Sequence, residues 1–384
     1  MEGNEKGQSD ILVARDDGST GSSDMYLDDT FSIDSSITAY RMENGRRYHA
    51  YKEGTYWAPN DERQNENLDI SHHKYLLVLE GNLLLAPIRE DIEHVLDLGT
   101  GTGIWAIDFA DQYPSAQVLG TDLSPIQPDM VPPNCRFEVD DARDEWIYPI
   151  DHFDLVHIRS LFGSIRDWTK LYRQAYRHLK PGGYIEQLEI SIQFKSDDGT
   201  VTAESPLHRW STLFTEAGEI TGQSFRVCET MRAAIEASGF VNVVETIYKT
   251  PIGGWPQDPR LREIGRWSLL GFDTGIEGYA IALLTRVFGV SEADAHCLAP
   301  ETRCPRSPWD FLCGMKLTTI DDSGTQRNAE VRAAVRDKAV HSYHEQRIFP
   351  EAVVNPEQRA PLRLGWRPQR IEWWCLASTA AAQR

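Results

Sequence analysis

The residues with the plainest chemical content run Val95-Leu96-Asp97-Leu98-Gly99-Thr100-Gly101-Thr102-Gly103-Ile104-Trp105. An apolar run carries a carboxylate, and three alternating glycines then open a helical pattern. Glycine admits positive φ and lets main-chain N–H groups come close to a ligand. A helix start adds unpaired N–H donors of its own. The combination suits a nucleotide or a nucleoside derivative. A phosphate-cradling loop would need a Gly-Lys-Ser/Thr ending, which is absent. A dinucleotide turn prefers G-x-G-x-x-G, and Ile104 stands where the last glycine belongs, which argues against a nicotinamide-dependent oxidoreductase.

Further positions agree with a nucleoside ligand. Asp122 follows a second apolar run and lies 19 residues after Gly103. Asp140-Asp141-Ala142 follows a third, Phe153-Asp154-Leu155-Val156-His157 forms a fourth, and Leu179-Lys180-Pro181-Gly182-Gly183-Tyr184 turns into a fifth. Each has a plain structural reading: Asp97 organises the turn, Asp122 caps the chain at Ser124, and Pro181-Gly182-Gly183 is a turn. Those readings do not explain why the acids fall at strand C-termini, where open α/β sheets bind ligands. In this order and spacing the motifs resemble the S-adenosylmethionine-dependent methyltransferases with a Rossmann-like sheet.

That resemblance implies S-adenosyl-L-methionine as cofactor. It assigns cofactor contacts to Asp97, Gly99, Thr100, Gly101 and Gly103, to Asp122 and Leu123, to Asp141 and Ala142, and to His157. A carboxylate at Asp122 can accept both ribose hydroxyls, and an acid at Asp141 takes the adenine amino group. The sulfonium is already an activated methyl donor, so catalysis reduces to alignment and exclusion of water. A hydroxyl or amine acceptor also needs a base. His157 is the candidate catalytic residue, with a pKa suited to neutral pH; it reads equally as a hydrogen-bonded wall of the pocket. Glu186 and Glu189 read as amine ligands or as partners for Arg159. His72-His73 and His341 with His344 lack a third partner and are not read as metal ligands.

Stepping outward from these residues, short apolar runs at 94–98, 117–121, 136–139, 153–158 and 183–190 alternate with helical patterns at 103–113 and 168–179. That alternation predicts an α/β, Rossmann-like methyltransferase fold: a mostly parallel twisted sheet, helices on both faces and helical insertions. Insertion helices are expected at 204–222, 225–238, 260–270 and 276–288, with strands at 241–250 and 340–349 and a helix at 329–338. A helix is also expected over 68–85. The organisation reads as an acidic tail at 1–38, an N-terminal segment or lid at 39–92, a methyltransferase domain at 93–349 with an irregular insert near 297–327, and an irregular tail at 350–384. The first 38 residues hold nine acidic and two basic side chains, too little apolar surface to offset ordering entropy.

A narrower resemblance rests on Glu43-Asn44-Gly45-Arg46-Arg47-Tyr48-His49, Pro59-Asn60-Asp61-Glu62 and Leu68-Asp69-Ile70-Ser71-His72-His73. It continues through Asp122-Leu123-Ser124-Pro125-Ile126-Gln127-Pro128, Gly265-Arg266-Trp267 and Leu284-Thr285-Arg286-Val287. These are similar to the LaeA-like fungal methyltransferases. The likeness implies a link to secondary metabolism, either as an enzyme acting on a natural-product or protein acceptor, or as a nuclear regulator acting through protein partners. The family pattern expects Arg where Asn67 stands.

Composition bounds the remainder. The chain has 384 residues, 41% hydrophobic and 25% charged, which fits a globular protein. A formal net charge of -19 argues against nucleic acid as a partner, since backbone binding needs a basic face. No apolar run reaches the roughly 18 residues of a membrane span. Six dispersed cysteines with no C-x-x-C pair and no signal-peptide pattern point to an intracellular protein, in the cytoplasm or nucleus.

Overall fold

The computed structural model describes residues 35–296 and 343–354. In chain order these form α1 (Ser35–Thr38), β1 (Arg41–Glu43), β2 (Arg46–Tyr48), α2 (Glu62–Val78), β3 (His94–Leu98), α3 (Ile104–Gln112), β4 (Gln117–Asp122), β5 (Cys135–Val139) and β6 (Phe153–Arg159). There follow α4 (Trp168–His178), β7 (Leu179–Ile190), α5 (Pro206–Thr221), α6 (Val227–Ala237), β8 (Thr246–Pro251), α7 (Pro259–Ala282), a π-helical turn (Leu283–Val287), α8 (Glu292–His296) and β9 (Tyr343–Val353). The helix expected at 329–338 lies outside the described residues.

Seven strands make one sheet in the order β5-β4-β3-β6-β7-β9-β8. β3, β4, β5, β6 and β7 run parallel, and β9 runs antiparallel to β7 and β8. Four residues of β3, Val95 to Leu98, are buried, as a central parallel strand covered on both faces requires. After β3 the chain moves to β4 on one side and later to β6 on the other. The crevice at that reversal is the expected ligand site of an open sheet. One core cluster packs α4 and α6 against the sheet through Leu171, Tyr172, Met231 and Ile235. Another packs α3 through Trp105 and Phe109.

Two helices differ from the sequence expectation. α2 begins at Glu62, where Asp61 caps Gln64 N–H at 3.1 Å, and it ends before Gly81 at φ 88°. Its buried positions include Gln64, Asn67, His72 and Lys74, so its inner face carries no apolar stripe. The two helices expected at 260–270 and 276–288 are one, α7, running on into the π-helical turn. Gly271 and Gly275 look like breakers in sequence, but Gly275, like Gly278, serves close packing. A Cβ at Gly275 would stand 2.8 Å from Asn67 Nδ2, and one at Gly278 would stand 2.5 Å from Gln64 Oε1. Asn67 is fully buried there and bridges the Gly271 carbonyl and the Tyr279 hydroxyl.

The N-terminal signature is a docking device. Asn44 and Gly45 both take positive φ, at 50° and 70°, the turn that joins two antiparallel strands with matching twist. Arg46 donates to Asp61 at 2.6 and 2.8 Å, and Arg286 of the π-helical turn donates to Glu43 at 2.7 Å and lies over the Tyr48 ring at 4.4 Å. Trp57 packs among Phe162, Phe214, Phe225 and Tyr279.

Candidate active site

The loop after β3 is built on three positive-φ glycines: Gly99 at 66°, Gly101 at 60° and Gly103 at 80°. Thr100 N–H donates to the Thr121 carbonyl at 2.9 Å, tying the loop to β4. Gly101 N–H donates to Asp122 Oδ2 at 2.9 Å, and Ser124 N–H donates to its Oδ1 at 2.9 Å. Burial pushes the Asp122 carboxyl up to about 6, against the pull of those main-chain donors.

Asp97 and His157 stand opposite one another in the parallel register of β3 and β6. Asp97 accepts from Thr100 Oγ1 at 2.6 Å, and His157 Nδ1 lies 2.7 Å from its other oxygen. The His157 ring is 1% exposed and stacks on Trp105 at 3.6 Å with planes 6° apart. Burial lowers its pKa despite the carboxylate, so a neutral ring donates Nδ1–H to Asp97. His157→Ala should therefore cost about 2–4 kcal/mol of stability, through a lost stack and a lost partner for a buried carboxylate. Urea unfolding measures that loss.

Asp141, after β5, accepts from Arg143 at 2.8 and 2.6 Å, and Lys52 of the N-terminal segment approaches it at 3.1 Å. Burial alone would raise its pKa, but Arg143 and Lys52 overcome that and hold it at about 2. Lys52 also pairs with Asp144, and Asn60 Nδ2 donates to Ser124 Oγ at 3.1 Å. The N-terminal segment is thus fastened across the ends of β4 and β5.

Gly101, Asp122, Leu123, Asp141 and Ala142 line one cavity. Asp97, Thr100, Gly99 and Gly101 line a second, and the two share Gly99, Gly101, Tyr56 and Arg159. Gly103 and His157 line neither; Gly103 starts α3, with its Cβ position 2.4 Å from Phe137 Cζ.

The sequence placed α2 in the lid segment without singling out any of its residues for the site, and left Arg159 as a salt-bridge partner. Gln64, Leu68, Ser71 and Tyr75 of α2, spaced four, three and four apart, line the second cavity. That helical spacing is the signal that could have found them. Arg159 lines both cavities and makes no ion pair among the described residues. Glu186 instead accepts from Leu85 and Ala86 N–H, and Glu189 from Leu161 and Phe162 N–H. Arg159 Nη1 donates to His72 Nδ1 at 3.0 Å, and His72 Nε2 reaches Asp108 at 2.9 Å. His73 turns the other way, onto Trp267 at 4.3 Å.

A family profile described as the methyltransferase domain matches residues 71–245. Methyltransferase pytC of Aspergillus terreus is 40% identical over 261 residues, 67% of this chain and 80% of that protein. Secondary metabolism regulator LAE1 of Cochliobolus heterostrophus is 40% identical over 252 residues, 64% of this chain and 82% of that protein. Protein-methionine methyltransferase laeA of Emericella nidulans is 34% identical over 276 residues, 71% of each. The chain belongs to the LaeA-like methyltransferase family. As a member of that family it is an S-adenosylmethionine-dependent methyltransferase, associated through its relatives with fungal secondary metabolism. The LaeA-like signature residues Glu43, Arg46 and Arg286 line none of these cavities; they join the N-terminal segment to Asp61 and to the π-helical turn. No described helix is long and apolar enough to cross a membrane.

Proposed function

We propose that the two joined cavities hold S-adenosylmethionine and that an adjoining cavity, lined by Trp210, Phe214 and Phe272, takes a small natural-product acceptor. The residues fit that cofactor. Asp122 offers carboxylate oxygens to the ribose hydroxyls, and Asp141 with the Ala142 main chain meets adenine beside Leu123. Gly99, Gly101 and Thr100 present loop main chain to the amino-acid part. Arg159, free of any carboxylate among the described residues, pairs with its carboxylate. Asp97 has lone pairs beyond those used by Thr100 and His157 for an ammonium. The cofactor supplies an electrophilic methyl group on a sulfonium. We assign His157 and Gly103 to positioning, His157 by orienting Asp97 and Gly103 by starting α3. Residues 39–92 act as the lid and 93–349 as the methyltransferase domain.

The single observation that carries the reading is that Gly101, Asp122 and Asp141, from the C-terminal ends of three neighbouring strands, line one cavity. Titration calorimetry with S-adenosylmethionine tests it; a folded chain that shows no heat of binding overturns it.

A second reading is a nuclear regulator that acts through protein partners. It is supported by relatives named secondary metabolism regulators at 38–40% identity and by one named a protein-methionine methyltransferase. Incubation with isotopically labelled methyl donor and a fungal extract separates the two. Label in the small-molecule pool supports the first reading, and label in protein supports the second.

A further inference from the structure

A third cavity meets the second at Ser71, Phe162, Ile190 and Tyr279. Its walls are apolar and aromatic, with Trp210, Phe214 and Phe272 among them, and its empty space is about 690 Å³ including the part open to solvent. That is the size and character of a small-molecule pocket. Its lining has one charged side chain, Lys74 of α2. Lys74 is 5% exposed and has no ion pair or hydrogen bond among the described residues; its Nζ lies 4.7 Å from the Tyr75 ring centroid. Ser71 and Lys74 are one helical turn apart, so the amine sits beside the junction with the cofactor cavity.

A buried lysine without an acid is costly as a cation. Burial, with the like charge of Arg159, pushes Lys74 down to about 7, so much of it is free amine near neutral pH. The neighbouring groups do not compete for the role. From β6, Arg159 stays cationic. From α2 and α7, burial raises the Tyr75 and Tyr279 hydroxyls, Tyr279 to about 12. From β7, Glu189 is raised to about 7 by burial but lines none of the three cavities, and its oxygens are taken by Leu161, Phe162 and Gln187.

We propose that Lys74 is a catalytic base acting on a flat hydroxyaromatic acceptor held in the aromatic cavity. This rests on the methyltransferase reading above. The acceptor oxygen gains the methyl group as the carbon–sulfur bond breaks, and its proton passes to the Nζ lone pair. The positive charge that leaves sulfur, now a thioether, reappears as the Lys74 ammonium, so charge and atoms balance.

7-Hydroxycoumarin, whose phenol and phenolate absorb at different wavelengths, serves as the probe on the full chain. Without S-adenosylmethionine, at pH 7, wild type should bind it mainly as the anion. Lys74→Met should bind it as the neutral phenol. With S-adenosylmethionine added, transfer to the probe should fall at least tenfold in Lys74→Met and in Lys74→Arg, which keeps the charge but cannot take the proton. The wild-type rate should rise with pH through about 7, and the Arg variant should lose that rise. Calorimetric S-adenosylmethionine binding should be unchanged in both variants. Equal probe ionisation in wild type and Lys74→Met overturns the proposal, as does a transfer rate in Lys74→Arg equal to that of wild type. Absence of 7-hydroxycoumarin binding with cofactor binding intact overturns the acceptor class. Loss of cofactor binding in wild type instead removes the parent reading.

Discussion

Gly101→Arg should abolish detectable S-adenosylmethionine binding while leaving the chain folded. Gly101 stands at φ 60°, and its Cβ position is 3.2 Å from the end of the Leu68 side chain. A non-glycine residue in that backbone region costs about 1–2 kcal/mol. Leu68 is flexible and can give way, so the penalty to folding stops near that range. Affinity suffers far more. Gly101 lines both cofactor cavities, and a guanidinium chain growing from it occupies the space beside Asp122. It also disturbs the N–H that holds Asp122 Oδ2. A loss of more than about 4 kcal/mol, or roughly a thousandfold, is expected from steric exclusion with a misplaced carboxylate. Calorimetry reads the affinity, and a thermal melt confirms the fold. Wild-type affinity in this variant would separate the glycine loop from the cofactor.

The second large effect is at Asp122, and it carries a sign in pH. The carboxyl stands near 6 in the free protein because burial disfavours its charge. Accepting two ribose hydroxyls needs the ionised form. Above about pH 6 the group is already charged and affinity is flat. Below it the free protein holds a proton that binding must release, so affinity falls up to about tenfold per pH unit. Asp122→Asn should remove this dependence and weaken binding at pH 7.5 by about 2–3 kcal/mol, the value of hydrogen bonds to a charged acceptor. The amide also faces two main-chain donors, Gly101 N–H and Ser124 N–H, with one acceptor. One donor is left unpaired, and a stability loss of about 1–3 kcal/mol follows. Calorimetry from pH 5 to 8 on both proteins tests the profile; a wild-type affinity that does not fall below pH 6 would contradict it.

The parts of this molecule that are legible in the chain are those in which neighbours in sequence are neighbours in space. β3, the glycine loop and α3 form one continuous stretch, and its residue types state both their conformation and their chemistry. The acids Asp122 and Asp141 are readable because a parallel sheet puts every strand's C-terminus at one edge. The N-terminal signature is readable as a pattern, but its purpose is not: Glu43 meets Arg286 only in the folded chain.

Two misreadings have one cause. α2 hides its register because much of its buried face is polar, and α7 is split in sequence at Gly271 and Gly275, the second of which lets α2 approach. A helix-breaking residue and a helix-packing residue are the same letter until the partner helix is known. The same holds at the site. His157, read in sequence as a candidate base, is stacked on Trp105 and bonded to Asp97, whereas Lys74, unremarked in a run of helix residues, has no acid partner among the described residues and lines an aromatic cavity. Short-range sequence determined the cofactor's class, since loop conformation and strand-end carboxylates are local properties. Tertiary structure alone decided which titratable groups are stripped of water and of a counter-charge among the described residues, because desolvation arises only when distant segments close around a side chain.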